Sequence, residues 1–192
     1  MRRSRAPLLL ASFLSILAAA PAAEAYERQW HVGGGLGYSL VLPGLPGESI
    51  PTTATSLHGF GAALHGTYGL TDTFNLLVQV DGSFAPGATP VVLAGGSVGI
   101  GYVVDILRVV PWFGVMAGGY AVSALDPCGA AGETGCTSGR LGFSLPVGID
   151  YQVSRSFTVG VSGRYGVLLL GPKGGVDQMI GAYFRAEYVW GY

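Results

Sequence analysis

From Ile180 onward every second residue is apolar or aromatic: Ile180, Ala182, Phe184, Ala186, Tyr188, Trp190 and Tyr192, with Gly181, Arg185, Glu187 and Gly191 among the residues between them. Successive side chains of a β-strand point to opposite faces, so a period of two produces one greasy side and one polar side. A helix, with its period near 3.6, would scatter the same residues around its circumference. The rhythm recurs about eight times after residue 26, which restricts the chain to an all-β fold built from strands of alternating character.

A coarse map places strands at 29–40, 57–70, 74–84, 91–104, 109–122, 141–152, 157–169 and 179–192. In the first, Trp30, Val32, Leu36, Tyr38 and Leu40 oppose His31, Gly33, Gly35, Gly37 and Ser39. In the second, Phe60, Ala62, Leu64 and Tyr68 oppose Gly59, Gly61, His65 and Thr67. The fifth admits two registers. Taking Phe113, Val115 and Ala117 as its apolar face leaves Gly114 and Gly118 opposite, together with Trp112, Met116 and Tyr120. The connections alternate: 71–73, 105–108 and 153–156 are tight, whereas 41–56, 85–90, 123–140 and 170–178 are longer and rich in Gly, Pro or Thr.

The first 25 residues have a different character. Arg2, Arg3 and Arg5 precede an apolar run from Leu8 to Ala20, and Ala23-Glu24-Ala25 forms a small-x-small site before Tyr26. This is the pattern of a cleaved secretory signal peptide, which divides the chain into 1–25 and a mature part, 26–192. Without Arg2, Arg3, Arg5 and Glu24, seven basic and ten acidic residues remain among 167, a formal charge of −3. That is about a tenth charged, against about a quarter in soluble domains, so a water-facing surface would be short of charge. No apolar stretch of the mature part reaches the length of a spanning helix, and the other structure that satisfies every backbone group in lipid is a closed barrel.

A soluble barrel of the lipocalin type would need bulky apolar residues within and charge without. Here the weaker face is mostly Gly and Ser, too uncharged to coat a soluble protein but small enough to fit inside a narrow barrel beside a few long side chains. Aromatics gather near the strand ends, at Trp30, Phe74, Phe84, Tyr102, Tyr151, Phe157, Trp190 and Tyr192, where interfacial girdles belong. The expected architecture is a closed eight-stranded antiparallel up-and-down transmembrane β-barrel, with short turns and both termini on the periplasmic side.

The mature chain resembles the small eight-stranded outer-membrane β-barrels of the OmpA/OmpX type, over the barrel only and without the C-terminal peptidoglycan-binding domain of some members. Its last strand is similar to the C-terminal signal that such proteins present to the barrel-assembly machinery, here Tyr188, Trp190 and Tyr192. The resemblance implies the outer membrane of a Gram-negative-type bacterium, with outer-membrane lipids and the assembly machinery as partners. It brings no invariant catalytic or binding motif.

The candidate chemistry is sparse. Gly95-Gly96-Ser97-Val98-Gly99 matches G-x-S-x-G but sits inside a period-2 strand with no following helix, and Gly33-Gly34-Gly35 lacks the downstream Lys and helix of a phosphate loop. His58 has the parity of the lipid face near the rim. With Ser56 in the loop and Phe60 apolar it has no serine partner, so it reads as a head-group contact rather than a general base; His31 and His65 read as lumen residues. Cys128 and Cys136, eight apart in the longest loop of an exported chain, suit a disulfide better than a zinc site. The inward-facing charges are Asp81, Asp150, Arg164, Arg185 and Glu187, which must pair in a narrow lumen.

The expectation is therefore a non-enzymatic outer-membrane protein with no catalytic, cofactor or metal residues, its lumen blocked by packed polar side chains. Loops 42–56 and 123–140 would carry any contact with an extracellular ligand, and no nucleic-acid partner is expected. A narrow, porin-like channel for small solutes or ions is the alternative, and a lipid-modifying barrel enzyme a more distant one.

Overall fold

The computed structural model describes residues 27–42, 56–87, 90–104, 108–128, 133–170 and 176–191, with backbone alone at 124, 126–128, 133–136 and 170. Eight strands follow in order: β1 (Trp30–Leu42), β2 (Leu57–Gly69), β3 (Phe74–Ala85), β4 (Val91–Val103), β5 (Val109–Cys128), β6 (Glu133–Ser154), β7 (Phe157–Leu170) and β8 (Asp177–Trp190). Each pairs antiparallel with the next, and β1 pairs with β8 from Trp30↔Trp190 to Leu42↔Gln178, closing the barrel. Closure removes both edges, so the ladder supplies a partner for backbone groups that lipid could not hydrate.

The alternation seen in the sequence becomes two surfaces. Trp30, Val32, Leu36, Phe60, Leu64, Val98, Ile100, Phe143, Val161, Phe184 and Tyr188 point outward, while His31, Asp81, Ser97, Asp150, Arg164 and Glu187 point into the barrel. On β5, Phe113 and Val115 are outward and Met116 and Tyr120 buried, the register in which Gly114 and Gly118 face inward. Inward glycines provide volume for large neighbours. A Cβ on Gly148 would come within 2.5 Å of the Trp112 ring, and one on Gly181 would meet the Tyr183 ring just as closely. A barrel this narrow holds its few large lumen side chains only where a neighbouring position, on the adjacent strand or the same one, has none.

An aromatic girdle surrounds the short-turn end. Trp30 lies against Tyr68 at 4.6 Å between ring centroids, Phe74 against Tyr102 at 5.5 Å, Tyr102 against Phe113 at 5.3 Å and Tyr188 against Trp190 at 5.9 Å. Such rings prefer the membrane–water boundary.

One expected loop is largely strand. Across 123–140, β5 continues to Cys128 and β6 begins at Glu133, with a register shift between Ala124 and Pro127. Ser123 and Thr137 hydrogen-bond across this hairpin at 2.7 Å between hydroxyl oxygens. A ribbon standing beyond the apolar belt needs no greasy face, so the alternation that marks the other strands is missing there.

Candidate functional site: the lumen and the long-loop rim

The five expected lumen charges separate into two groups. Arg164 on β7 reaches Asp81 on β3 with two parallel contacts, Nη1 to Oδ1 at 2.7 Å and Nη2 to Oδ2 at 2.5 Å. This bidentate fork is the strongest arrangement that a guanidinium and a carboxylate adopt. Toward the short turns, Arg185 on β8 contacts Glu187 and lies 3.5 Å from Asp150 on β6, with its guanidinium carbon 4.6 Å from the Trp112 ring centre. His31 Nδ1 and His65 Nε2 complete this group, at 3.3 Å and 2.7 Å from the two oxygens of Glu187.

A third pair, Arg140 to Asp177 at 3.3 Å, lies near the long-loop end. Both residues are buried, although both fall in segments that read as loops in the sequence. Among the described residues, four buried carboxylates thus face three guanidiniums and two imidazoles.

Apolar side chains also occupy the lumen. At the long-loop end Val41, Ala85, Val91, Leu93, Tyr120, Val122, Leu168 and Met179 pack into one buried cluster, with Leu57 against it. A smaller cluster of Val103, Val110 and Trp112 lies at the opposite end. The expectation of a lumen blocked by polar side chains is therefore incomplete, because the outer closure is greasy. Beside the smaller cluster is a cavity of about 40 Å³ lined by His31, His65, Asn75, Trp112, Asp150 and Glu187 among others. That volume holds a few water molecules.

The remaining candidates take ordinary places. Ser97 is buried within β4, its hydroxyl donating to Met116 Sδ at 3.9 Å, and no helix follows it. No three His, Cys, Asp or Glu side chains among the described residues are grouped to hold a metal ion. The side chains of Cys128 and Cys136, and all of Tyr192, lie outside the described residues; Tyr188 and Trp190 stack on the outer face of β8.

His58 requires a correction. It is exposed on the outer face at the long-loop end, but it does have a serine partner: Ser56 Oγ lies 3.0 Å from His58 Nε2. The Tyr38 hydroxyl meets Nδ1 from the neighbouring strand. Residue 56 immediately precedes β2, so its side chain shares the face of residue 58.

No protein-family model matches the chain, and no curated protein matches it in sequence. Solved structures do. The Neisserial surface protein A is similar with a TM-score of 0.69 at 14% identity, covering 84% of this chain and 99% of its own. Ail, the attachment invasion locus protein of Yersinia pestis, gives 0.57 at 14% identity over 85% and 99%. The outer membrane protein OprG from Pseudomonas aeruginosa gives 0.54 at 11% identity over 89% and 99%. The fold of this chain is that of the small eight-stranded outer-membrane β-barrels.

Proposed function

We propose that the chain is a non-enzymatic integral protein of a Gram-negative-type outer membrane, with a closed lumen and with its contacts carried by the long-loop end, chiefly segments 42–56 and 123–140. The short turns and both termini would face the periplasm, after removal of residues 1–25 and insertion by the barrel-assembly machinery. The observation that carries this reading is the layered filling of the lumen: an apolar cluster at the long-loop end, a bidentate ion pair across the middle and a second charged group beneath it. Ions crossing such a barrel would have to displace packed apolar side chains as well as break a buried salt bridge.

The test is conductance of the refolded protein in a planar bilayer. A closed barrel gives no steady current, and a stable open level would replace this reading with the narrow channel. Support for the membrane placement comes from the apolar outer surface and the aromatic girdle at the short-turn end. Fractionation of cells expressing the full chain checks it, with recovery in the soluble periplasm as the contrary result.

A further inference from the structure

Two polar groups interrupt the outer surface at the long-loop rim, the Tyr165 hydroxyl donating to Gln178 Oε1 at 3.1 Å and a three-residue group around His58. Tyr38 on β1, His58 on β2 and Ser56 just before β2 sit together at the long-loop rim, with the imidazole between the two hydroxyls. Each ring nitrogen faces one oxygen. A neutral imidazole accepts a hydrogen bond from one hydroxyl and donates one to the other, leaving one O–H directed outward. A charged imidazole donates to both and turns both O–H groups outward. Either way the surface offered is one of donors. The described carboxylate at this end of the barrel, Asp177, points inward onto Arg140 and does not compete.

Along the same strands, toward the middle of the belt, the barrel wall is hollowed. Gly34, Ala62, Gly82 and Ala186 form the floor of an open depression of about 770 Å³, and Leu36, Leu64, Val80 and Phe184 rise around it. Leu36, Leu64 and Phe184 are 71%, 70% and 77% exposed, so they stand clear of the surface as walls. Tyr38 is two residues from Leu36 on β1 and pairs with Ala182 on β8, two residues from Phe184. At about 3.4 Å per strand residue the polar group lies one step above the edge of the hollow.

We propose that this face binds an anionic lipid whose head group ends in a phosphate, the phosphate on Tyr38, His58 and Ser56 and an acyl chain in the depression beneath. The unprotonated oxygens of a phosphate only accept, which matches a donor cluster, and a charge-assisted bond to an imidazolium is stronger than a neutral one. A chain laid against glycine and alanine approaches the backbone closely and gains dispersion contact. The serine and histidine also have the spacing of a nucleophile and its base. Their third partner is a neutral phenol rather than a carboxylate, so binding is favoured over acyl transfer.

The test uses the full mature barrel, refolded in non-ionic micelles containing equal amounts of phosphatidic acid and phosphatidylcholine with matched chains, and counts retained lipids by native mass spectrometry. The parent should retain phosphatidic acid in preference. Both His58→Ala and Tyr38→Phe, shown first to be folded, should lower that preference about tenfold, the scale of one lost hydrogen bond to a charged group. Ala186→Phe, which fills the hollow, should lower retention while leaving His58 in place. Inorganic phosphate at the lipid's concentration should not displace it. Equal retention of the two lipids by the parent overturns the proposal, as does full displacement by inorganic phosphate, which would reduce the site to a phosphate contact without a chain. Release of free fatty acid that depends on Ser56 overturns it in favour of a hydrolase.

Discussion

Arg164 and Asp81 join opposite walls of the barrel, from β7 to β3, through two parallel contacts of 2.7 and 2.5 Å. In a closed sheet of eight strands these two are four apart whichever way one counts, so the pair is a strut across the bore. Both residues are buried, at 6% and 5% exposure, so neither can replace a lost partner with bulk water. Arg164→Ala should cost about 3–5 kcal/mol in equilibrium unfolding from liposomes, because Asp81 is left charged and alone. Arg164→Leu combined with Asp81→Leu should cost less than either single change. A double variant as unstable as the sum of the singles would mean that the pair acts through something other than its charges.

Breaking the strut should not open the barrel. The apolar cluster around Leu168 and Met179 closes the long-loop end independently of it. In planar bilayers Arg164→Ala should stay silent, whereas Leu168→Ser with Met179→Ser in the Arg164→Ala background should admit water and give measurable current. Conductance by Arg164→Ala alone would make the ion pair the barrier.

Glycine on the lumen face is a packing requirement. Gly148→Ala would place a methyl group within 2.5 Å of Trp112, whose ring carries Arg185 on its face. The expected loss is about 1–3 kcal/mol of stability from overpacking. Trp112→Leu in the same chain should recover part of it, which a purely backbone effect of the alanine would not allow.

The faces of the strands were legible in the sequence, even on β5, where Gly114 and Gly118 marked the inward side against the pull of Trp112 and Tyr120. The greasy closure was not. Around Leu93 and Leu168 both faces of the strand are apolar, since Val92 and Leu169 point to lipid while the leucines point inward, and a period-two reading has nothing to separate there. Arg140 and Asp177 were hidden for another reason: they lie where strands run on into segments rich in Gly and Pro. The Ser56 contact to His58 was missed because the extended backbone starts before the strand's first paired residue. Asp81 and Arg164 were recognisable as lumen residues, but their partnership depends on strand spacing around the barrel, which no local pattern contains.

Tyr192 separates assembly from stability. Deleting it removes one aromatic from the sequence after β8, a small loss for a folded barrel, yet it removes the last residue of the expected assembly signal. Outer-membrane yield in cells should fall sharply while refolding of the same variant into micelles stays near normal. Normal insertion in cells would leave Tyr192 as an ordinary girdle residue.

For Cys128 and Cys136, export to an oxidising compartment is the ground for expecting a disulfide, since the β5–β6 register sets Cys136 opposite Ala124 and Cys128 opposite Glu133 rather than opposite each other. Alkylation of the unreduced protein followed by mass spectrometry should find both sulfurs protected, with two labels added only after reduction. Two labels without reductant would show free thiols.

The seam between β1 and β8 pairs Trp30 with Trp190, residues from opposite ends of the strand order. No other neighbouring strands are so far apart along the chain, and the contact cannot form until the last strand has been delivered. Until then the first strand waits with one side of its backbone unpaired, the condition in which sheets recruit the wrong partner. The protein is thus most vulnerable while almost complete, and what protects it in that interval must cover an edge that the finished molecule no longer possesses.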